Sequence, residues 1–399
     1  MERPFRWAVL GSLGLVLLAV TFAAGALAYR HVYRLSFPPQ NHAMLKVEET
    51  LEAISHVYVE KISEDRLAEG AVKGIMSELD PYSRYLPKKE YKEFTEEAGG
   101  HFDGVGLMVG MKEKNLAVVS TIKGTPAERA GLKPGDFILK IDNRSTKSMA
   151  LDVAVNLIRG KAGTTVALTV QRNGVKDPFV HKLVRARITI PNTSSEMLDG
   201  KIAWVWLHFF NQEATKELDR EAKELVGKGA RGIILDLRDN PGGLLDQAVG
   251  VTGMFVDQGL VVSTKNRTGV SREYSVPGGA AYKDFPLVVL VNGGSASASE
   301  IVAGAIQDHK RGTVVGEKTF GKASVQDVLP LSDGSALTIT TAKYLTPKGR
   351  SIAQKGIKPD IVVKGNGRAP ADDAQLKRAK QVLLDLLERK AAKANQEEG

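Results

Sequence analysis

Three serines stand where an apolar run gives way to a glycine-rich turn and then to a helical pattern. The run Leu287–Val291 predicts a buried strand, residues 292–294 break it, and Ser295, Ser297 and Ser299 follow at alternate positions. Glycine upstream leaves room for a substrate, and the N–H groups of a first helical turn point toward negative charge that develops there. This setting suits a serine nucleophile, which still needs a base to remove its proton.

Two kinds of side chain could supply that base. The seven histidines are His31, His42, His56, His101, His181, His208 and His309. Among them, His208 and His309 are the candidates for a Ser-His-Asp hydrolase. The other candidate is Lys322, because burial of a lysine in an apolar pocket without a carboxylate favours the neutral amine that a general base requires. Gln326 lies four residues on, where it could orient this amine from the same side of a strand or a helix.

The serine and lysine segments together resemble one known family. Residues 295–301 read Ser-Ala-Ser-Ala-Ser-Glu-Ile and residues 316–322 read Gly-Glu-Lys-Thr-Phe-Gly-Lys, with a glutamine downstream. These motifs are similar to those of the carboxyl-terminal processing peptidases, or tail-specific proteases, which use a Ser-Lys dyad. The resemblance implies that Ser297 is the nucleophile, Lys322 the general base and Gln326 the orienting amide. The sequence departs from the family pattern at Ala323, where the family usually has glycine.

A second strand-and-glycine corner precedes the serine segment. Residues 232–237 predict a buried strand of the parallel kind, which leads into the Asn-Pro-Gly-Gly stretch 240–243 and then a helix. From the residues alone, the glycine pair predicts a tight turn that can also bring a backbone amide to the active site. The resemblance implies that the amides of Gly243 and Ala298 form an oxyanion hole, which stabilises charge that exists only during the reaction.

Residues 99–186 change to short strands separated by glycine, and they resemble a PDZ module. A Gly-x-Gly loop presents several backbone amides to one point, which suits the terminal carboxylate of a peptide, and the adjoining strand edge can pair with the peptide backbone. The loop residues implied to bind peptide are Gly104, Val105, Gly106 and Leu107. Arg159, at a predicted helix end, is either a contact for the peptide or another domain, or a cation that complements a helix C-terminus.

Helical periodicity flanks these modules. Apolar residues recur at helical spacing through residues 41–98, and the proline at position 81 ends the second helix. The stretches 58–59 and 79–86 also resemble the amino-terminal helical region of the same peptidases. At the other end, residues 373–391 predict a helix with leucines on one broad face, which packs on the core or on another subunit.

Composition narrows the class of protein. The 399 residues suffice for two or three domains, and 43% hydrophobic with 25% charged residues argues against wholesale disorder. The formal net charge is +9, but basic residues are scattered among acidic ones and no nucleic-acid-binding motif is present, so no nucleic-acid partner is predicted. The absence of cysteine excludes disulfides, thiolate zinc sites and a cysteine nucleophile. No metal or organic cofactor is implied.

The amino-terminal residues 7–29 are uncharged and mostly apolar, with arginines before and after them. This run is long enough to cross a bilayer. It is either an uncleaved signal anchor or a signal peptide with its cleavage site near Ala28, in the small-residue pattern 26–28. Both alternatives predict export, which places the body of the chain in the bacterial cell envelope, on the periplasmic face.

These observations predict an α/β multidomain chain with a mixed sheet. Its predicted parts are a signal segment (1–34), a helical region (35–98), a PDZ domain (99–186), a catalytic core (187–365) and a terminal helix with a tail (366–399). The predicted function is an exported serine endopeptidase that recognises protein C-terminal tails through its PDZ domain. The predicted partners are proteins or peptides with accessible C-termini, the membrane if residues 7–29 are retained, and further copies of the chain in a homo-oligomer. The alternatives left open are a non-catalytic PDZ adapter of the envelope and a Ser-His-Asp hydrolase.

Overall fold

The computed structural model describes residues 42–112, 115–269, 271–365 and 373–397. The chain divides into two compact units, Met1–Pro81 and Tyr82–Gly399. The signal segment predicted at 1–34, with its apolar run 7–29, lies outside the described residues. Within the described ranges, no helix combines the length and the apolar character needed to span a bilayer.

The described part of the first unit is a pair of helices, α1 (His42–Val57) and α2 (Glu64–Ser77). Ser63 caps α2, because its hydroxyl accepts the amide of Arg66 at 3.4 Å. Acidic residues in the first turn of α2 complement the positive end of the helix dipole. Both helices lie within the region where the sequence predicts helix.

Strands and helices alternate through the second unit. The first part contains β1 (Arg84–Leu86), α3 (Lys88–Ala98), β2 (His101–Gly104), β3 (Leu107–Lys112), β4 (Asn115–Thr121), α4 (Pro126–Arg129), β5 (Phe137–Ile141), β6 (Arg144–Ser145), α5 (Leu151–Ile158), β7 (Thr165–Gln171), β8 (Phe179–Val184) and β9 (Ala186–Thr189). The second part contains β10 (Thr193–Leu198), β11 (Ile202–Leu207), α6 (Ala214–Gly227), β12 (Gly232–Asp236), α7 (Leu245–Gly253), β13 (Leu260–Asn266), β14 (Ser271–Ser275), β15 (Leu287–Val291), α8 (Ala298–Asp308), β16 (Thr313–Gly316), β17 (Ser324–Pro330), β18 (Ala336–Leu345), β19 (Ile361–Val362) and α9 (Ala374–Glu397). The architecture is mixed α/β, as the sequence predicts.

The structure corrects the helical prediction for residues 35–98 at one place. Residues 84–86 form β1, which pairs antiparallel with β18, with Tyr85 opposite Leu337. Pro81 stops the preceding helical pattern, and the exposed backbone groups that follow find their hydrogen-bond partners in a sheet instead. These three residues therefore belong with strands encoded more than two hundred residues later, a pairing that local periodicity does not contain.

The PDZ region contains an antiparallel sheet in the order β3-β4-β5-β7-β8, with β6 attached to β5. Its buried side chains come from alternate positions of the strands and from α4 and α5, as period-two burial along β7 shows. β2 and β9 pair as a two-stranded ribbon, in which Phe102 lies opposite Ile188. This ribbon carries the chain into and out of the PDZ sheet.

The catalytic region is built on a sheet in the order β10-β11-β12-β15-β16-β19, parallel except for β10. β12 and β15 are buried along their whole length, as expected for central parallel strands covered on both faces. Alternate residues enter two cores: Ile233 joins the cluster formed with α6, α7 and α8, and Ile234 joins the cluster formed with α9. The terminal helix thus packs on the core, one of the two alternatives that the sequence left open.

This sheet places both predicted corners at the same edge. The carboxyl ends of neighbouring parallel strands meet at one side of a sheet, which is where open α/β folds bind ligands. The glycine pair follows β12 and the serine turn follows β15, and these two strands are adjacent. A separate sheet, in the order β1-β18-β13-β14 with β17 on β18, carries Gln326.

A buried ion-pair network joins α9 to the loop that follows β12. The Arg238 guanidinium donates to Asp236 at 2.6 Å and to Asp373 at 2.7 Å, and it also reaches Gln375 at 3.2 Å. The side chains of Arg238, Asp236 and Asp373 are all at most 5% exposed. Asp373 also accepts the amide of Leu376, so it caps the terminal helix and, through Arg238, ties this helix to the loop that follows β12.

Replacing Asp373 with alanine is expected to lower the free energy of unfolding by about 3 kcal/mol, because removal of one partner leaves the buried Arg238 charge partly uncompensated. Urea titration followed by circular dichroism measures the loss. Asp385→Ala provides the control, since this residue lies on the same helix and accepts only from the exposed Gln381 amide. Similar losses in the two variants would contradict a special role for the network.

Candidate active site

Ser297 and Lys322 line one cavity of about 440 Å³ in the second unit. Gln326 and Gly243 also line it, together with aromatic and aliphatic side chains. These include Phe94, Phe209, Leu245, Ile301 and Val325. The mostly apolar wall suits the side chains of an unfolded peptide.

Ser297 stands at a strained corner between β15 and α8. Its backbone has φ 54° and ψ −115°, a conformation that residues with a side chain rarely adopt. Ser295 and Ser299 are fully buried, and their hydroxyls donate to the carbonyls of Leu237 (2.7 Å) and Asn240 (2.9 Å). Of the three serines, only Ser297 lines the cavity. The geometry therefore singles out the middle serine.

The loop 238–244 packs directly against the serine corner. A Cβ on Gly242 would lie 2.7 Å from the Cβ of Ser297 and 2.9 Å from the nitrogen of Ala298, so only glycine fits. Gly243 is equally constrained, since its Cβ would lie 2.3 Å from the Phe210 carbonyl oxygen. The amide of Gly242 donates a hydrogen bond to the side-chain oxygen of Asn240. This hydrogen bond does not involve the Gly243 amide.

Glu300, which is fully buried, fastens the serine corner to the lysine segment. One carboxylate oxygen accepts the amides of Ser297 (3.0 Å) and Lys322 (2.9 Å). The other accepts the amide of Gly321 (2.8 Å) and the hydroxyl of Thr319. Burial raises the pKa of Glu300, and the four hydrogen bonds oppose this by favouring the ionised form. One side chain thus sets the relative positions of two segments of chain.

Tyr344 holds the same two residues from the carbonyl side. Its hydroxyl, on β18, lies within hydrogen-bonding distance of the carbonyl oxygens of Ser297 (3.2 Å) and Lys322, which share its one proton. Tyr344 is 2% exposed, and burial, with the nearby Glu300 charge, raises its pKa well above the usual value. The phenol is therefore a permanent donor over the physiological range. Glu300 and Tyr344 together form a clamp around the backbones of Ser297 and Lys322.

Gln326 lies in β17, beyond a register shift between Val325 and Gln326. Its amide nitrogen donates to the hydroxyls of Ser324 (2.8 Å) and Thr340 (3.2 Å). Lys322 precedes this strand. The expectation that Lys322 and Gln326 project from the same side of one strand or helix therefore does not apply. The alanine at position 323, the departure from the family pattern, is buried in the core.

The two rival bases lie elsewhere. His208 is within 2.9 Å of the Ser194 hydroxyl, and His309 is within 2.7 Å of the Leu260 carbonyl. Among the described residues that line the cavity with Ser297, none is a histidine. Across the described ranges, no cluster of histidine, aspartate or glutamate is arranged to hold a metal ion.

Four of the five predicted peptide-binding residues of the PDZ region line a smaller cavity of about 190 Å³. Gly104, Val105, Leu107 and Arg159 line it, between β3 and α5. Gly106 is not among its lining residues; it has φ 75° and packs where a Cβ would collide with Thr125. The Arg159 guanidinium lies 5.1 Å from the centre of the Phe102 ring.

Sequence reasoning missed three residues of the site. Glu300 carried a usable signal, because a glutamate three residues after a serine is the pattern of a helix capping box. Tyr344 and Tyr82, the latter also a lining residue of the larger cavity, carried none. Both come from segments distant in sequence: Tyr82 lies just before β1, which pairs with β18, and Tyr344 lies in β18 where that strand pairs with β13.

Comparison with known sequences agrees with this division of the chain. Profiles match for Peptidase family S41 at residues 201–363, for a PDZ domain at 118–172, and for the activating protease CtpB N-terminal domain at 32–90. The S41 match covers both corners of the candidate site. The chain is thus a serine-type endopeptidase that carries a PDZ domain.

Individual relatives narrow the class further. The chain is 42% identical over 318 residues to the carboxy-terminal-processing protease of Bartonella bacilliformis, a match that covers 78% of this chain and 73% of that protein. It is 40% identical over 317 residues to the carboxy-terminal processing protease CtpA of Bacillus subtilis, covering 79% and 68%. The chain belongs to the carboxy-terminal processing proteases of peptidase family S41. A solved S41 protease structure from Bacteroides fragilis, 16% identical with a TM-score of 0.51, covers 88% of this chain and 99% of that one and shares the fold.

Proposed function

We propose that this endopeptidase cleaves by a Ser-Lys dyad. The observation that carries the proposal is the shared cavity of Ser297 and Lys322, whose backbones are clamped by Glu300 and Tyr344. A neutral Lys322 amine accepts the proton of Ser297 as the serine oxygen attacks the scissile carbonyl. The same proton passes to the leaving amine, and the lysine then activates the water that releases the acyl group.

The amides of Gly243 and Ala298 are proposed to stabilise the oxyanion. Support comes from the contact of Gly242, the neighbour of Gly243, with Ser297 and Ala298, and from the position of Gly243 on the wall of the cavity that contains Ser297. Backbone donors fixed in advance stabilise charge that appears only in the transition state. In this proposal Gln326 orients the Lys322 amine, supported by the position of both side chains on the wall of one cavity and by the hydroxyls of Ser324 and Thr340 that hold the Gln326 amide.

The PDZ region, proposed to span residues 99–186, is proposed to hold the C-terminal tail of a protein substrate. The cavity beside β3 offers an apolar floor, a strand edge for backbone pairing and the cation of Arg159 for a terminal carboxylate. Core residues 187–365 then cleave the tethered chain. Export to the bacterial cell envelope is proposed from the apolar run 7–29, which either anchors the protein or is removed.

Trapping the acyl-enzyme tests the nucleophile of the proposed dyad, and the Lys322→Ala variant tests its base. A peptide p-nitrophenyl ester acylates a serine peptidase faster than water removes the acyl group, so an acid-quenched sample is expected to carry the acyl mass. Peptide mass spectrometry should place this adduct on Ser297. Ser297→Ala is the control and should carry none. An adduct on another residue, or equal labelling of the variant, would contradict the proposal.

A further inference from the structure

An aromatic ring covers the amine of the proposed base. The Lys322 Nζ lies 4.9 Å from the centre of the Tyr82 ring, and both residues line the cavity that contains Ser297. A cation this close to an aromatic face is attracted by the negative potential above the ring. Tyr82 therefore has a direct electrostatic effect on the atom that gains and loses the proton.

The position of Tyr82 is set by the sheet that also carries Gln326. The neighbouring Ser83 is buried, and its hydroxyl accepts the amide of Thr340 at 3.0 Å. The Thr340 hydroxyl in turn accepts from the Gln326 side chain. Directly after Ser83, β1 pairs with β18. Tyr82 therefore lies in a turn whose following residues are fixed by Ser83 and by the pairing of β1 with β18.

We propose that Tyr82 is a positioning residue for Lys322, whose ring face holds the amine in the cavity and stabilises the ammonium formed during catalysis. The inference rests on the Ser-Lys mechanism proposed above. In the step concerned, the Ser297 O–H bond breaks and an N–H bond forms on Lys322. The serine oxygen bonds to the scissile carbon, and negative charge moves to the carbonyl oxygen.

An aromatic face suits this step better than a carboxylate would. A carboxylate would keep the lysine protonated and unable to accept a proton, whereas a ring stabilises the ammonium more weakly. The other titratable groups that line the cavity are Arg84, Glu97 and Tyr344. Glu300 lies buried behind the lysine, where it accepts the backbone amide. The ring of Tyr82 is therefore a moderate electrostatic partner for the Lys322 amine.

The test compares kcat/KM as a function of pH for Tyr82→Leu, Tyr82→Phe and the wild type on a fluorogenic peptide. Loss of the ring in Tyr82→Leu favours the neutral amine, so the acidic limb should move to lower pH by about half a unit to one unit. The plateau of kcat should fall roughly 3- to 30-fold, because the ammonium loses its partner. Tyr82→Phe keeps the ring and should retain the acidic limb of the wild type.

Tyr85→Leu is the matched control, since Tyr85 is a nearby tyrosine in β1 that does not line the cavity, whereas Tyr82 lies in the turn just before that strand. Tyr82→Met serves as a second variant without the ring if the leucine variant does not fold. If Tyr82→Leu lowers the plateau of kcat but leaves the acidic limb of kcat/KM at the wild-type pH, Tyr82 has only a packing role and the inference is overturned. Equal profiles for Tyr82→Phe and Tyr82→Leu would overturn it too. The dyad itself is tested separately by Lys322→Ala: activity in that variant refutes the proposed function, whereas its loss beside an unmoved Tyr82→Leu profile refutes only the inference.

Discussion

Replacing Lys322 with alanine is expected to lower kcat/KM by about 10⁴-fold or more, because the serine then has no group to remove its proton. Ser297→Ala should lose activity to a similar extent. Residues that act as one unit are not additive, so the double variant is expected to be no less active than either single variant. The measurement is the rate of cleavage of an unfolded protein, with fragments identified by mass spectrometry.

Two kinds of control sharpen this prediction. Lys318→Ala removes an exposed lysine from the same segment and should cleave like the wild type. His208→Ala and His309→Ala test the rival histidine bases directly, and both are expected to retain most activity. Full activity of the Lys322 variant, together with loss of activity in one histidine variant, would establish a Ser-His-Asp enzyme instead. A Ser297 variant that still cleaves would point to a different nucleophile altogether.

Replacing Glu300 with glutamine is expected to be the most damaging change outside the reacting groups. The carboxylate accepts four donors with its two oxygens, which uses the full acceptor capacity of the group. Glutamine keeps one oxygen and turns an NH₂ group toward two donors, so two buried donors lose their acceptor. We expect a loss of about 3 kcal/mol in the free energy of unfolding. The value of kcat should fall about 100-fold, because the serine and lysine segments separate.

Kinetics distinguish this clamp from a general contribution to folding. A variant that is folded but has a loosened dyad should lose kcat while KM changes little. Glu217→Gln is the matched control: Glu217 is also a buried glutamate whose pKa burial raises, but its carboxylate accepts the amide of Asn192, outside the cavity. Its kcat should stay near the wild-type value. A Glu300 variant with unchanged kcat at temperatures where it remains folded would contradict the clamp.

Local patterns were enough for much of the fold. The run Leu287–Val291 is a strand with those same bounds, and the predicted helix at 373–391 corresponds to α9. Both succeed because continuous apolar residues and helical periodicity report burial directly. The helical prediction for residues 84–86 was wrong for the opposite reason. Their strand depends on β18, and no property of the local sequence encodes that partner.

The candidate site shows the same division. Ser297 and Lys322 could be proposed because two short motifs resemble those of a known peptidase family. The residues alone indicated a serine at a glycine-rich corner and left lysine and histidine open as its base. Glu300 was visible in principle as a capping-box glutamate, but its bonds to the lysine segment were not. Gln326 shows what local sequence could not predict. Its side-chain hydrogen bonds to Ser324 and Thr340 depend on a strand register that shifts at that residue.

By itself, the sequence determined which chemistry this protein can carry, because side-chain types, glycine placement and hydrophobic period are local properties. Only the tertiary structure decided which groups surround the reacting atoms. Glu300 reaches the lysine segment, Tyr344 joins the two carbonyls, and Tyr82 covers the amine. The physical reason is that these contacts depend on strand pairing and burial between segments far apart in the chain. The sequence of one segment does not specify its distant partner, so no local pattern predicts the contact.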